Sequence, residues 1–374
     1  MKRKDLSRIL CARCLKRQLG KITKKQSSRC VAEAECQLCR GLFKKIPEVA
    51  KRAIQELNTS GEIKTFQVGT SVPRSIEAFE EKIWDTIDIS NAECIKAELN
   101  RELGKEIEKN SGYTFDPIKP HARILWDTRG VSVYVSLSPL FLFGKYKKLK
   151  RFIRQTKKEN STEESVEELI GKIIKEATKG EITFHGSGRE DVDALMLGEG
   201  RPFIIEVSSP KIRTLDLKRL EKKINNANKG KIEVNNLRFA EAGEIEIIKR
   251  AKFNKTYEAI VALERKVTSD DVRLINSINE CKKFVIHQRT PTRVLDRRVD
   301  IVRKKRIIAV DAKKIDDKHI RLFIKAESGT YIKEFINGDN GRTTPSISEM
   351  IGTRARCVEL NVLKVHSEWY EDWW

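Results

Sequence analysis

No run of about eighteen apolar residues occurs anywhere in this chain of 374 residues, which excludes a helix that crosses a membrane. The longest apolar stretch, Val131 to Phe143, is broken by serine and proline and reads as a buried strand and turn. Met1 to Arg8 is basic, but no apolar segment follows it, so no signal peptide is expected and the chain reads as cytoplasmic. A glycine-rich cofactor or phosphate loop is also missing. Gly198-Glu199-Gly200 precedes a strand instead of opening a helix, which argues against a methyltransferase or a thiolase. No internal repeat of fixed period occurs. Apolar residues, at 39%, are a little scarce for a globular protein.

Charge is what the chain has in excess. Charged residues make up 34%, and 75 Lys+Arg against 54 Asp+Glu leave a net +21. A heat-adapted surface raises both signs together, so it accounts for the charge content and not for the imbalance. A polyanionic partner accounts for both, because each neutralised phosphate releases a condensed counterion. Nucleic acid is the better reading.

In a cytosolic setting the eight cysteines read as thiols or metal ligands before disulfides. Cys11 and Cys14 form one CxxC pair and Cys36 and Cys39 another, about twenty residues on. That spacing matches one closed, structural four-thiolate zinc site. The segment has too few large apolar residues to fold alone, so the metal would supply its stability. Cys30, between the knuckles, is the rival ligand, while Cys94, Cys281 and Cys357 read as small core residues.

The rest is α+β in pattern, with a mixed, mostly antiparallel sheet flanked by helices. Helical spacing of Ile76, Phe79, Ile83, Trp84 and Ile87 follows Ser75, a natural N-cap; Ser90 or Asn91 would cap a second helix running to about Lys109. Val131, Val133, Val135 and Leu137 alternate with polar residues, as in a strand with one buried face. Further helices are expected at 165–178 and 215–228, and strands at 181–185, 202–207, 231–234, 321–326 and 357–365. Lys145, Lys147 and Lys148 flank Tyr146 in a basic cluster that is either a solvated lysine face or a phosphate-contacting strip. Polar residues 155–165 read as a linker, and three tryptophans within Glu368 to Trp374 would fold back onto the body.

Three short constellations carry chemistry. Gly188-Arg189-Glu190-Asp191 lies between two strand-like runs; its glycine permits a tight turn, and an arginine beside a carboxylate holds it ionised. Such an acid suits nucleophilic or general-base work on a sugar, and the residues alone do not choose between Asp191 and Asp193. Lys255-Thr256-Tyr257 and Ser328-Gly329-Thr330-Tyr331-Ile332-Lys333 add an aromatic ring and a cation. By themselves Tyr257 reads as a core tyrosine and Lys333 as a solvated lysine near a helix start.

Taken together, these motifs resemble pseudouridine synthases. The stretches GREDVD, GRPFIIEVSSP, QRTPTRV and GTYIKEFINGDNGRTTPS are similar to the archaeal-type tRNA pseudouridine synthase family acting at positions 54/55 of the TΨC loop. Phe66 to Val72 and Val133 to Lys148 resemble that family's THUMP-containing half, and the knuckles its zinc module. The resemblance implies a zinc module over residues 1–48, a THUMP-like RNA-binding domain over 49–156 and a catalytic domain over 157–374. It implies cofactor-free isomerisation of uridine in the TΨC arm of tRNA, with one structural zinc and no obligate protein partner. Asp191 would be the catalytic carboxylate, Arg189 would pair with it and fill the gap left by the flipped base, Tyr257 would stack on that base, and Lys333 would keep Asp191 charged. Tyr257, Lys333, Lys145, Lys147, Lys148, Arg289 and Arg293 would contact RNA. Leu195 stands where relatives commonly carry Arg, and Asp296 where they carry His, which bears on substrate scope. A second cysteine-rich insert found in many relatives is missing from 155–165. The competing reading is a tRNA-binding adaptor without chemistry, which would have no reason to keep Asp191, Tyr257 and Lys333 together.

Overall fold

The computed structural model describes residues 6–157, 163–296 and 298–367. The tryptophan-rich segment 368–374 and residues 158–162 of the expected linker lie outside the described residues. None of the helices is long and apolar enough to cross a membrane among the described residues. The chain divides into two compact units, the first chiefly Met1–Pro139 and the second beginning at Leu140.

In the first unit the helices are α1 (Ala12–Leu19), α2 (Lys24–Ser27), α3 (Ile46–Ser60), α4 (Arg74–Trp84) and α5 (Ile95–Asn110). Four strands, β1 (Thr65–Ser71), β2 (Thr114–Phe115), β3 (Ala122–Asp127) and β4 (Ser132–Leu137), form a sheet in the order β2-β1-β3-β4. Helix α3 buries Ile46, Val49, Ala53 and Leu57, and α5 buries Ile95, Leu99, Leu103 and Ile107, each set at helical spacing. These stripes meet Phe66, Val68, Ile124 and Trp126 in one apolar cluster. Full burial of such a side chain stabilises by about 1.5–3 kcal/mol. Pro73, not Ser75, stands at the cap of α4. The helix expected from Ser90 begins later, at Ile95, because the Glu80 carboxylate accepts the Ile95 N–H at 3.0 Å and caps α5 from a neighbouring helix. Cys94 occupies the α5 cap position and Cys281 is exposed, so neither is a core residue.

The second unit contains β5 (Leu140–Lys148), α6 (Val166–Thr178), β6 (Glu181–Gly186), β7 (Leu195–Ser208), α7 (Leu217–Ala227), β8 (Ile232–Ala240), α8 (Ala242–Arg250) and β9 (Lys255–Leu263). It continues with α9 (Ser269–Asn276), β10 (Phe284–Arg289), β11 (Val302–Lys314), β12 (His319–Ala326), α10 (Ile332–Asn337), β13 (Thr343–Thr344), α11 (Ile347–Met350) and β14 (Ala355–Val365). One sheet follows the order β13-β10-β11-β12-β9-β14-β7-β5-β8, with β6 against β7. Strands β7 and β14 run parallel where Leu195 and Met196 oppose Asn361 and Val362. The other neighbours along that path are antiparallel, as the pattern of short strands led one to expect. Along β9 burial alternates strictly, so Lys255, Tyr257, Ala259, Val261 and Leu263 share one inward row. That row is apolar except at its first two positions.

Two expectations are corrected by the pairing. An RNA-binding domain running to residue 156 would include β5, yet β5 pairs with β7 and β8 and belongs to the second unit, which begins at Leu140. Gln155 is likewise no linker residue: it is buried and donates to Tyr146 Oη and the Gly188 carbonyl at 2.9 and 2.8 Å. Gly198-Glu199-Gly200 lies inside β7, between Met196, which pairs with both β14 and β5, and Arg201, from which the pairing with β5 continues. Gly198 has φ +62, and a Cβ there would stand 1.9 Å from the Leu363 carbonyl oxygen. Replacing it therefore forces the strands apart. Gly198→Ala is expected to cost about 3 kcal/mol in chemical denaturation, from the left-handed backbone plus the collision. Gly230→Ala has a similar φ of +75 but open space around it, and should cost about 1 kcal/mol. Equal losses would contradict the close approach.

Candidate active site

The turn after β6 is held from beneath by buried charge. Gly188 adopts φ +73, and a Cβ there would press to 3.2 Å on the Arg201 guanidinium. Glu190 points inward and is 7% exposed. Its carboxylate accepts from Arg201 Nε at 2.8 Å and from Tyr146 Oη at 2.9 Å, with Lys148 Nζ 3.8 Å away. Arg201 Nη1 also donates to the Ser187 carbonyl at 2.9 Å. The fully buried Lys148 donates to the carbonyls of Ile153, Asp191 and Val192 at 3.1, 3.0 and 3.1 Å. Burial pulls the Lys148 ammonium below its usual range, a pull that Glu190 opposes. Burial, reinforced by Glu190, pushes the Tyr146 phenol well up, so it remains a donor.

Held in this way, the next residue turns outward. Asp191 lines a cleft of about 620 Å³ together with Arg189, Tyr257, Arg293, Ile332 and Leu360. Arg293 Nη1 donates to Asp191 Oδ1 at 2.9 Å, and Lys333 Nζ stands 3.6 Å from Oδ2. Each cation is itself steadied by another carboxylate. Arg293 Nε donates to Glu334 at 2.7 Å, and Lys333 Nζ reaches both oxygens of Asp193 at 2.7 Å. Burial opposes ionisation of Asp193, but the hydrogen bonds and charge of Lys333 outweigh it and hold that carboxyl below the usual range. Tyr257, 8% exposed, has its phenol pushed up to about 12 by burial, which Arg201 opposes and Asp191 reinforces.

Asp191, Tyr257 and Lys333 are thus brought together from three distant stretches of chain. Arg189 is exposed at the rim, and no ion pair joins it to Asp191 among the described residues. The pairing expected of Arg189 is made by Arg293 instead, whose segment approaches the carboxylate from the opposite wall. Arg289 pairs with Asp300 at 2.9 Å on β10 and does not line the cleft. The lysine strip is corrected too. Lys145 and Lys148 are 2% and 0% exposed, with Lys148 enclosed by the carbonyls of Ile153, Asp191 and Val192, and Lys147 pairs with Glu233. Sequence reasoning missed Glu190, Arg201, Lys148 and Tyr146 as one network. A lone arginine opening the apolar run Pro202 to Val207 was the available signal.

A separate cluster in the first unit fits a metal ion. The thiols of Cys11, Cys14, Cys36 and Cys39 are buried and lie within 4.8 Å of one another. Cys11 Sγ and Cys39 Sγ stand 3.8 Å apart. A tetrahedral four-thiolate shell with bonds of about 2.3 Å spaces its sulfurs by roughly that distance. Cys30 lies outside the set and donates to the Gln26 carbonyl at 3.3 Å.

Comparison with known proteins agrees with this division. Residues 49–127 match the family described as "Pus10 THUMP domain, archaeal", and residues 141–366 match "Pus10, C-terminal". The chain is 38% identical to the tRNA pseudouridine synthase Pus10 of Pyrococcus furiosus over 372 residues, covering 95% of this chain and 94% of that protein. The proteins of the same description from Thermofilum pendens and Korarchaeum cryptofilum are each 37% identical. They cover 92% and 89% of this chain, and 79% and 93% of their own lengths.

Two outcomes follow from the buried network and the thiol cluster. Glu190→Gln leaves Arg201 and Lys148 without their counter-charge and should cost about 3 kcal/mol in chemical denaturation, while the half-exposed Asp191→Asn should stay within about 1 kcal/mol. The reverse order would mean that Asp191 is the structural acid. Chelation should loosen the backbone around residues 11–39, read as accelerated amide exchange there and not across β7 and β9. Unchanged exchange would exclude a resident ion.

Proposed function

Because the chain belongs to the Pus10 family, whose curated members are tRNA pseudouridine synthases, we propose that it isomerises uridine to pseudouridine in the TΨC loop of tRNA, at positions 54/55, with Asp191 as catalytic carboxylate. The observation that carries the assignment of Asp191 is its placement. Of the two acids of the GRED turn, Glu190 has its side chain buried, whereas the partly exposed carboxylate of Asp191 has two cations on its oxygens and an aromatic ring in the same cavity.

The reaction breaks the bond from ribose C1′ to N1, turns the base, and joins C1′ to C5, while the C5 proton leaves and N1 gains one. Nothing is oxidised and no atom is lost. Asp191 supplies either the nucleophile at C1′ or the base for the C2′ proton. Arg293 and Lys333 hold its two oxygens in place, and both cations are themselves held by acids. Tyr257 enters as a neutral phenol at physiological pH, which suits a stacking face for the extruded base. Extrusion costs a few kcal/mol, and stacking with backbone contacts offsets it. The four thiols are proposed to hold zinc in a structural role, since four sulfur ligands leave no open position.

Asp191→Asn is expected to abolish pseudouridine formation in an unmodified tRNA transcript, mapped by chemical probing, while tRNA affinity changes by less than about fivefold. Loss of both together would identify the residue as structural. Persisting activity would remove Asp191 from the chemistry.

A further inference from the structure

Among the cations that line the cleft, the mechanism gives no role to Lys255, Lys305 and Arg303. On β9, Lys255 stands two residues before Tyr257 in the same inward row and is only 8% exposed. Across the sheet Lys255 opposes Ala326, the last residue of β12, and Ala326 opposes Ile307 on β11. Lys305 and Arg303 are the next two alternate positions along β11, and both line the cleft. Beyond the end of β12 the turn Ser328-Gly329-Thr330 closes over them. Lys305 Nζ donates to the Ser328 carbonyl at 2.6 Å, and a Cβ on Gly329 would come within 3.3 Å of that nitrogen.

The hydrogen-bond partners of these cations are all neutral, and Glu327 acts on Lys305 only from beyond ion-pair distance. Lys255 donates to the Phe253 carbonyl at 3.3 Å, and Arg303 to Thr290 Oγ1 at 2.9 Å and the Ile301 carbonyl at 3.4 Å. No carboxylate oxygen lies within 4 Å of Lys255, Lys305 or Arg303 among the described residues, unlike Arg293 and Lys333, which each have two. Crowding like charges against a low-dielectric wall is costly. Burial, joined by Arg201 and Lys305 and opposed by Glu190, drags the Lys255 amine down to about 7. Such an arrangement is stabilised when an anion completes it.

We propose that Lys255, Lys305 and Arg303 form a phosphate subsite, which grips a backbone phosphodiester flanking the everted uridine. The position follows from the row that Lys255 shares with Tyr257: an anion there lies beside a base stacked on the ring. The subsite rests on the functional reading above. It adds that eversion is held from the backbone side by cations distinct from those serving Asp191.

A double-mutant cycle in binding tests this. Full-length tRNA is assembled with one neutral methylphosphonate on the 5′ or the 3′ side of the target uridine. Its affinity is measured for protein carrying Asp191→Asn, with and without Lys255→Met. At one of the two positions, the neutral linkage and Lys255→Met should each weaken binding about tenfold, and together no more than either alone. Losses that multiply at both positions would overturn the subsite while leaving the functional reading intact. Absence of any tRNA binding would overturn both. Lys305→Met, on a half-buried strand end, repeats the cycle if the Lys255 variant does not fold.

Discussion

Glu190 is a carboxylate removed almost completely from water, and the geometry of the cleft depends on its being compensated there. Taking such an ion out of water costs several kcal/mol, and attraction to a partner repays it only when the geometry is good and the remaining lone pairs are satisfied. Here Arg201 meets it at 2.8 Å, Tyr146 donates at 2.9 Å, and Lys148 stands behind. The arrangement does more than offset a penalty. Arg201 also binds the Ser187 carbonyl, Gln155 the Gly188 carbonyl, and Lys148 those of Asp191 and Val192. Every peptide of the turn that has to be fixed is therefore tied to one buried acid. Adjacent residues of a single motif end up with opposite surroundings, Glu190 in the core and Asp191 in the cleft, because one grips so that the other can project.

The charges around Asp191 are arranged so as not to quench it. Three carboxylates, Asp191, Asp193 and Glu334, face two cations, Arg293 and Lys333, which leaves one negative charge on the cluster. Each cation is shared with a second acid, so the Asp191 carboxylate is placed from both of its oxygens by groups that are themselves fixed. The opposite wall follows the other rule, with cations whose partners are neutral carbonyls and a hydroxyl. One side of the cleft thus carries carboxylates that outnumber their cations, and the other cations with no carboxylate within ion-pair distance.

How much of this could be read in the chain depends on the range of the interaction. Knuckle spacing, the alternation along Ser132 to Leu137 and most of the helical stripes are local, and the structure has them, with the helix ends displaced at Trp84 and Ile95. Convergence of Asp191, Tyr257 and Lys333 was legible as a combination of motifs, though none of the three specified contact. What failed needed knowledge of neighbours. Lys145 and Lys148 look like surface cations until their burial is seen, Lys148 among the carbonyls of Ile153, Asp191 and Val192. Arg189 looked like the partner of Asp191 because it is two residues away, whereas Arg293 is paired with it across 102 positions. Gly198-Glu199-Gly200 resembled a boundary because glycine usually interrupts a strand. Here it lets one strand serve two partners.

The thiol cluster shows the same use of buried charge in a different unit. Arg17 on α1 is 6% exposed and reaches Cys14 Sγ at 3.6 Å, Glu98 at 2.6 Å and Glu80 at 3.5 Å. A divalent ion in a four-thiolate shell would carry two net negative charges, and Arg17 is the buried cation beside them. Its acids lie on α4 and α5, which ties the knuckles to the helices that cover the β1–β4 sheet. Burial raises the Glu80 carboxyl, against the Ile95 N–H and Arg17, so this group is less able to take the full charge of Arg17. Thiolates absent, Arg17 would face only these two acids; thiolates present, it is shared among all three. One guanidinium thus joins the knuckles to α4 and α5.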